Sequence, residues 1–107
     1  MYRGTTPTLP IVIPKNDLTA AKLFLTFQSG VLGKQITLTT PDDFTVELDG
    51  EDTKGNVSLT QEQTLDMIAG ECTAQIRFVF PDGQAGVTKV RTITVNDILY
   101  EDVIEYD

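Results

Sequence analysis

Apolar and polar residues alternate with period two along much of this chain, in short runs separated by glycine, proline, asparagine and aspartate. Successive side chains of a strand point to opposite faces, so this rhythm predicts half-buried β-strands joined by turns. The first run is Thr8–Ile13. Pro10 and Pro14 carry no N–H, which confines that strand to a sheet edge or keeps it short. Residues 22–28 set Leu23, Leu25 and Phe27 on one face, and Phe24 on the other implies partial burial there too. Residues 34–39 turn Ile36 and Leu38 inward. Pro41-Asp42-Asp43 marks a turn, and residues 44–48 then alternate Phe44, Val46 and Leu48 with Thr45 and Glu47. The polar stretch 49–55 predicts a loop or a long hairpin connection, and residues 56–60 a fifth short strand carrying Val57 and Leu59.

The period then changes. Thr60 is placed as an N-cap with Gln63 at capping-box spacing. Glu62 lies near the positive end of the helix dipole, and Gly70 stands where a helix ends. A short helix over 61–69, burying Leu65 and Ile68 and crossing one end of the sheets, is expected. Residues 71–80 form the clearest strand, with Cys72, Ala74, Ile76, Phe78 and Phe80 all on one side. Five inward apolar positions in a row mark a central core strand. Pro81-Asp82-Gly83 predicts a hairpin turn. The returning strand, 84–95, carries Val87, Val90, Ile93 and Val95, and its alternation slips phase between Val90 and Ile93, which predicts a bulge. Seven short strands with hairpin connections predict an all-β fold: an immunoglobulin-like antiparallel β-sandwich with one short helix near 61–69. A small barrel is the main rival. The disulfide and buried tryptophan of antibody domains are absent from the sequence.

With 107 residues the chain is expected to form a single domain over 1–95, followed by an acidic tail over 96–107. The tail holds five acids, no bases, and the apolar residues Ile98, Leu99, Tyr100, Val103, Ile104 and Tyr106. Its alternation of acid and apolar groups suits an amphipathic arm or an added strand; fraying is the competing expectation. No apolar run is long enough to span a bilayer. No basic leader precedes a long hydrophobic segment, so secretion by a signal peptide is not expected.

Charge and residue types narrow the chemistry. Sixteen acids against eight bases give a net charge of −8, and the bases are scattered singly. Such a chain repels phosphate backbones, so nucleic acid is not an expected partner. The sequence contains no histidine, which removes the usual general base, the commonest metal ligand and the partner of nucleophilic serine or cysteine. The single cysteine, Cys72, is in phase with Ala74 and Ile76 and is expected to be a buried structural thiol. Asp42-Asp43 and Asp49-Gly50-Glu51-Asp52 could supply oxygen ligands to calcium if their loops met, but neither has EF-hand spacing and solvated turn carboxylates are the simpler account. A carbohydrate site would want aromatic lining, and the chain offers no tryptophan and three tyrosines near its ends. No enzymatic activity, cofactor or metal is expected.

The opening Arg3-Gly4-Thr5-Thr6-Pro7-Thr8, leading into a proline-broken strand, resembles small proteins from the tail regions of prophages in Gram-positive bacteria. Leu59-Thr60-Gln61-Glu62-Gln63-Thr64 and the passage from Ala69-Gly70 into the strand Cys72 to Phe80, closed by Pro81-Asp82-Gly83, fit the same group. Through about Val95 the chain looks like a stand-alone relative of the immunoglobulin-like N-terminal domain of phage baseplate upper proteins. The resemblance implies a non-enzymatic virion structural protein of the tail or baseplate, found in the virion or in the host cytoplasm during assembly. Its partners would be other phage structural proteins or further copies of itself. Tyr2, Arg3, Ile98, Leu99, Tyr100, Val103 and Tyr106 would then be contact residues, and pairing at open sheet edges a second route to assembly. The alternative from another class is a free-standing module that binds carbohydrate or calcium.

Overall fold

The alternation is realised in eight strand segments and one helix: β1 (Thr8–Ile13), β2 (Lys22–Ser29), β3 (Gln35–Thr39), β4 (Val46–Asp49), β5 (Asp52–Ser58), α1 (Gln61–Leu65), β6 (Gly70–Val79), β7 (Ala85–Val87) and β8 (Arg91–Val95). A computed structural model describes residues 1–106; Asp107, the last of the tail's five acids, lies outside them. The strands form two antiparallel sheets. One has the order β1-β5-β4; in the other β3-β2-β6 continues to β7 and β8, both paired with the far side of β6. The chain changes sheet at β1–β2, at β3–β4 and, through α1, at β5–β6. This is the strand order of an immunoglobulin-like sandwich, B-E-D against C′-C-F-G.

β7 and β8 are one returning strand broken by a bulge, which lies at Thr88–Val90 and not in the Val90–Ile93 step where the phase slip placed it, since Arg91–Ile93 pair regularly with β6. Arg77 pairs with Val87 and Ala74 with Arg91, so Gln75 and Ile76 of β6 face three residues, Thr88, Lys89 and Val90. Thr88 repairs the ladder at the insertion. Its N–H donates to Ile76 O at 2.9 Å, its Oγ1 accepts from Ile76 N–H at 3.1 Å, and its carbonyl accepts from Gln75 Nε2 at 3.0 Å.

The stretch at 49–55, expected as a loop or a long hairpin connection, is a tight hairpin whose return strand already starts at Asp52. Asp49 pairs with Asp52 around Gly50-Glu51, and Gly50 has φ +65°, the left-handed value that the first central residue of a two-residue type II′ turn requires. β4 starts at Val46. Phe44 is buried ahead of it, and Leu48, in phase with the partly buried Val46, is left half-exposed near the end of the strand. The helix is shorter than expected, ending at the C-cap Asp66, although the Thr60–Gln63 capping box forms with both reciprocal hydrogen bonds. Its buried side is Thr64 followed by Met67, and Ile68 points out.

Leu23, Leu25 and Phe27 of β2 and Cys72, Ala74 and Ile76 of β6 pack against Ile11, Ile13 and Val57 of the other sheet. Phe78 and Phe80, expected inward, are only partly buried at the far end of β6 and meet edge to face at 5.9 Å. Val87 and Val90 are exposed. Among the described residues the four buried polar ones all carry hydroxyls, and each ties a place where strand pairing stops. Thr53 Oγ1 donates to Asn16 O (2.6 Å) and accepts from Leu18 N–H (2.9 Å), holding the β1–β2 crossover. Thr40 Oγ1 accepts from Leu23 N–H (2.9 Å), Ser29 Oγ from Ile68 N–H (2.9 Å), and Thr64 Oγ1 donates to Thr5 O (2.8 Å). Among the described residues no helix is long and apolar enough to cross a membrane.

Candidate interaction surface

The two ends of the chain meet beside α1. The Met1 ammonium donates to Thr94 O at 2.9 Å, Asn96 N–H to Met1 O at 2.6 Å and Arg3 N–H to Asn96 O at 3.0 Å. Residues 1–3 therefore run parallel to the end of β8, in a bridge between Tyr2 and Asn96. The Arg3 side chain, 15% exposed, is the centre of this junction. Its Nη1 donates to Asp97 Oδ1 at 2.7 Å and to Glu101 Oε1 at 2.6 Å, and its Nη2 to Leu65 O at 2.8 Å, a carbonyl in the last turn of α1 that has no partner within the helix. Arg3 Nε is buried without a partner. Hydrogen bonds donated to Glu101 and Asp97 raise the Arg3 pKa above its ordinary value. The guanidinium, helped by Ile98 N–H, holds Asp97 below the usual carboxylate range.

Ile98 seats against backbone at the same place. A Cβ on Gly4 would lie 2.8 Å from Ile98 Cδ1 and 3.3 Å from Leu65 Cδ2, and the φ of +73° at Gly4 also favours glycine. Further along, Gln61 holds the tail with two solvent-exposed hydrogen bonds, from its Nε2 to Ile104 O (3.0 Å) and to its Oε1 from Ile104 N–H (2.8 Å).

Of the residues expected as partner contacts, Arg3 is thus engaged inside the molecule and Ile98 is half-buried. Tyr2, Leu99, Tyr100, Val103 and Tyr106 are exposed around them. Sequence reasoning missed three neighbours at this end. Val31 and Leu32, at the tip of the β2–β3 hairpin, are 97% and 92% exposed, and Ile68 lies against Gly30 at the root of that tip. The signal was present: two large apolar residues stand between Gly30 and Gly33, where a turn ordinarily places polar ones. One end of the sandwich therefore gathers most of the large exposed apolar side chains, which is how a protein-binding surface is built.

The acidic turns do not converge. Asp43 accepts from Thr39 N–H at 2.8 Å, Asp49 pairs with Lys54 at 2.9 Å and Asp52 accepts from Lys15 N–H at 3.1 Å. Among the described residues no three His, Cys, Asp or Glu side chains lie close enough together to hold a metal ion.

A second feature opens along one side. Between β1 and the β7–β8 edge the two sheets part into a groove of about 720 Å³ that reaches core residues of both, including Ile11, Leu25, Phe27, Ile76 and Ile93. Among the described residues, Lys89 and Arg91 are the only charged side chains lining it. Its two walls differ as strand acceptors. Leu59 N–H donates to Pro7 O, so odd-numbered residues of β1 face β5 and the outer edge presents Thr8, Pro10 and Val12. Pro10 blunts that edge. On the other wall, β8 turns Arg91, Ile93 and Val95 toward β6 and leaves the backbone of Thr92 free below the point where residues 1–3 stop.

No protein-family model, curated protein or solved structure matches the chain.

Proposed function

We propose that this chain is a non-enzymatic structural protein of a phage or prophage tail or baseplate, working through protein–protein contacts. The observation that carries a binding role is the gathering of Tyr2, Val31, Leu32, Ile68, Leu99 and Tyr100 at the α1 end of the sandwich, exposed in a chain whose core is otherwise well supplied with apolar residues. The phage setting is supported by the resemblance at residues 3–8, 59–64 and 69–83. The full chain, tagged and used to capture partners from an induced lysogen, should retain tail or baseplate proteins, and a Val31→Asp/Leu32→Asp variant should lose them while keeping its melting temperature. Capture of none of them would sink the reading. A melting temperature raised by calcium or by oligosaccharide would favour a ligand-binding module instead, because a ligand that binds only the native state stabilises it.

A further inference from the structure

We propose that the groove between β1 and the β7–β8 edge receives residues 102–106 from a second copy of this chain, which adds there as an extra strand. This rests on the reading of the molecule as a protein-binding module and not on its phage setting. Three observations single out this occupant. The groove exposes core side chains and one free strand edge, the arrangement that β-strand addition uses. Its charged lining is purely basic, Lys89 and Arg91, in a molecule of net charge −8. And the same chain displays a segment of complementary character: Asp102-Val103-Ile104-Glu105-Tyr106 combines three exposed apolar side chains with two acids.

Geometry suits the exchange. As a strand, residues 102–106 would set Asp102, Ile104 and Tyr106 on one face and extend about 17 Å, which fits within the longer open edge from Ala85 to Thr92. By alternation Arg91 shares the inward face of β8 with Ile93 and Val95, so an inserted Ile104 and Tyr106 cover the core while Asp102 meets Arg91. Glu105, on the outer face of the added strand, adds charge complementarity toward the exposed Lys89 of the bulge. The Arg3 clamp on Asp97 and Glu101 ends just before this segment, so the root of the arm stays fixed while its tip moves. Leaving its own subunit costs the tip its two exposed hydrogen bonds with Gln61 and the partial cover of Val103 and Ile104. Reciprocal exchange between two copies closes a two-fold dimer, and one-way exchange builds a ring or a filament. The competing account is that Arg91 is an inward-pointing charge that keeps the edge from pairing.

Sedimentation equilibrium on the full chain separates the two. The expected result is concentration-dependent association that Lys89→Glu/Arg91→Glu weakens roughly tenfold in Kd, the size of effect expected for losing close charge pairs. Adding Asp102→Lys/Glu105→Lys to the same chain should restore association. The tail substitutions avoid both carboxylates held by Arg3, and unchanged circular dichroism and melting temperature would show that the fold is intact. A monomer at every concentration, or association indifferent to the groove substitutions, overturns the inference; association lost only with Val31→Asp/Leu32→Asp would assign self-contact to the α1 end. If the proposed function fails but this holds, lysogen capture is empty while the charge swap still works.

Discussion

Arg3 shows how one side chain can organise two chain ends. Its guanidinium bridges the N-terminal segment, the tail and the end of α1, while its unpartnered Nε offsets part of the gain. Both carboxylates are more than half exposed, which screens the ion pairs. Arg3→Met should therefore lower stability by only about 1 kcal/mol, yet should raise amide exchange sharply at Ile98 and Ile104. The junction is also pH-sensitive in a definite direction. Asp97 is held below its unfolded value, so its contribution is complete above about pH 4 and fades as pH falls through the depressed folded value. A titration followed by NMR should show the tail loosening on the acid side and staying attached at neutral pH. At Cys72, burial pushes the thiol pKa up, so little thiolate is present at neutral pH. Native protein should react slowly with a disulfide reagent and rapidly in denaturant; fast labelling of the native form would contradict the core position.

At the scale of elements, the bulge between β7 and β8 depends on a hydroxyl. Without Thr88 Oγ1 the Ile76 N–H would face the insertion with no acceptor. Thr88→Val keeps the shape and removes the acceptor, and should cost about 1–2 kcal/mol, read as a lower midpoint in urea with faster exchange at the Ile76 amide. The bulge also turns the edge: it puts Lys89 in the insertion and brings Arg91 back into phase with Ile93 and Val95. Both basic side chains of the groove are thus positioned by one inserted residue. The four buried hydroxyls do comparable work at the crossovers, accepting or donating where strand pairing stops. Threonine is frequent here for its β-propensity, but Thr40, Thr53 and Thr64 are placed by the needs of the backbone.

For the whole molecule, the termini and the sandwich are not independent layers. The tail up to Glu101 is attached through Arg3 and Ile98; beyond it only Gln61 holds Ile104. Truncation after Glu101 should then leave the melting temperature nearly unchanged and abolish self-association, whereas truncation before Asp97 should destabilise the junction by leaving the Arg3 guanidinium without its carboxylates. Size-exclusion chromatography with light scattering, run beside thermal melts, distinguishes the two truncations. The apolar end around Val31, Leu32 and Tyr100 stays intact in the shorter truncation, so capture of other proteins should survive it.

Local chemistry alone was enough for the strands with strict alternation, for the Thr60–Gln63 cap and for the presence of a bulge in the returning strand, though not for its place, because each is written in neighbours a few residues apart. The burial of Cys72 followed from its phase with Ala74 and Ile76 in the same way. The 49–55 stretch misled because polar residues on an outer sheet look like a loop: its strand is held by pairing with β1 and β4, which no local pattern records. The helix ended early because Met67 is drawn into the core and Ser29 captures the Ile68 N–H. Arg3 met its carboxylates, and Lys89 and Arg91 came to line the open side, only through contacts between residues far apart in the chain. Alternation and capping are short-range and survive in the linear order; charge pairing, groove walls and an end-on apolar surface arise from the closing of two sheets on one another.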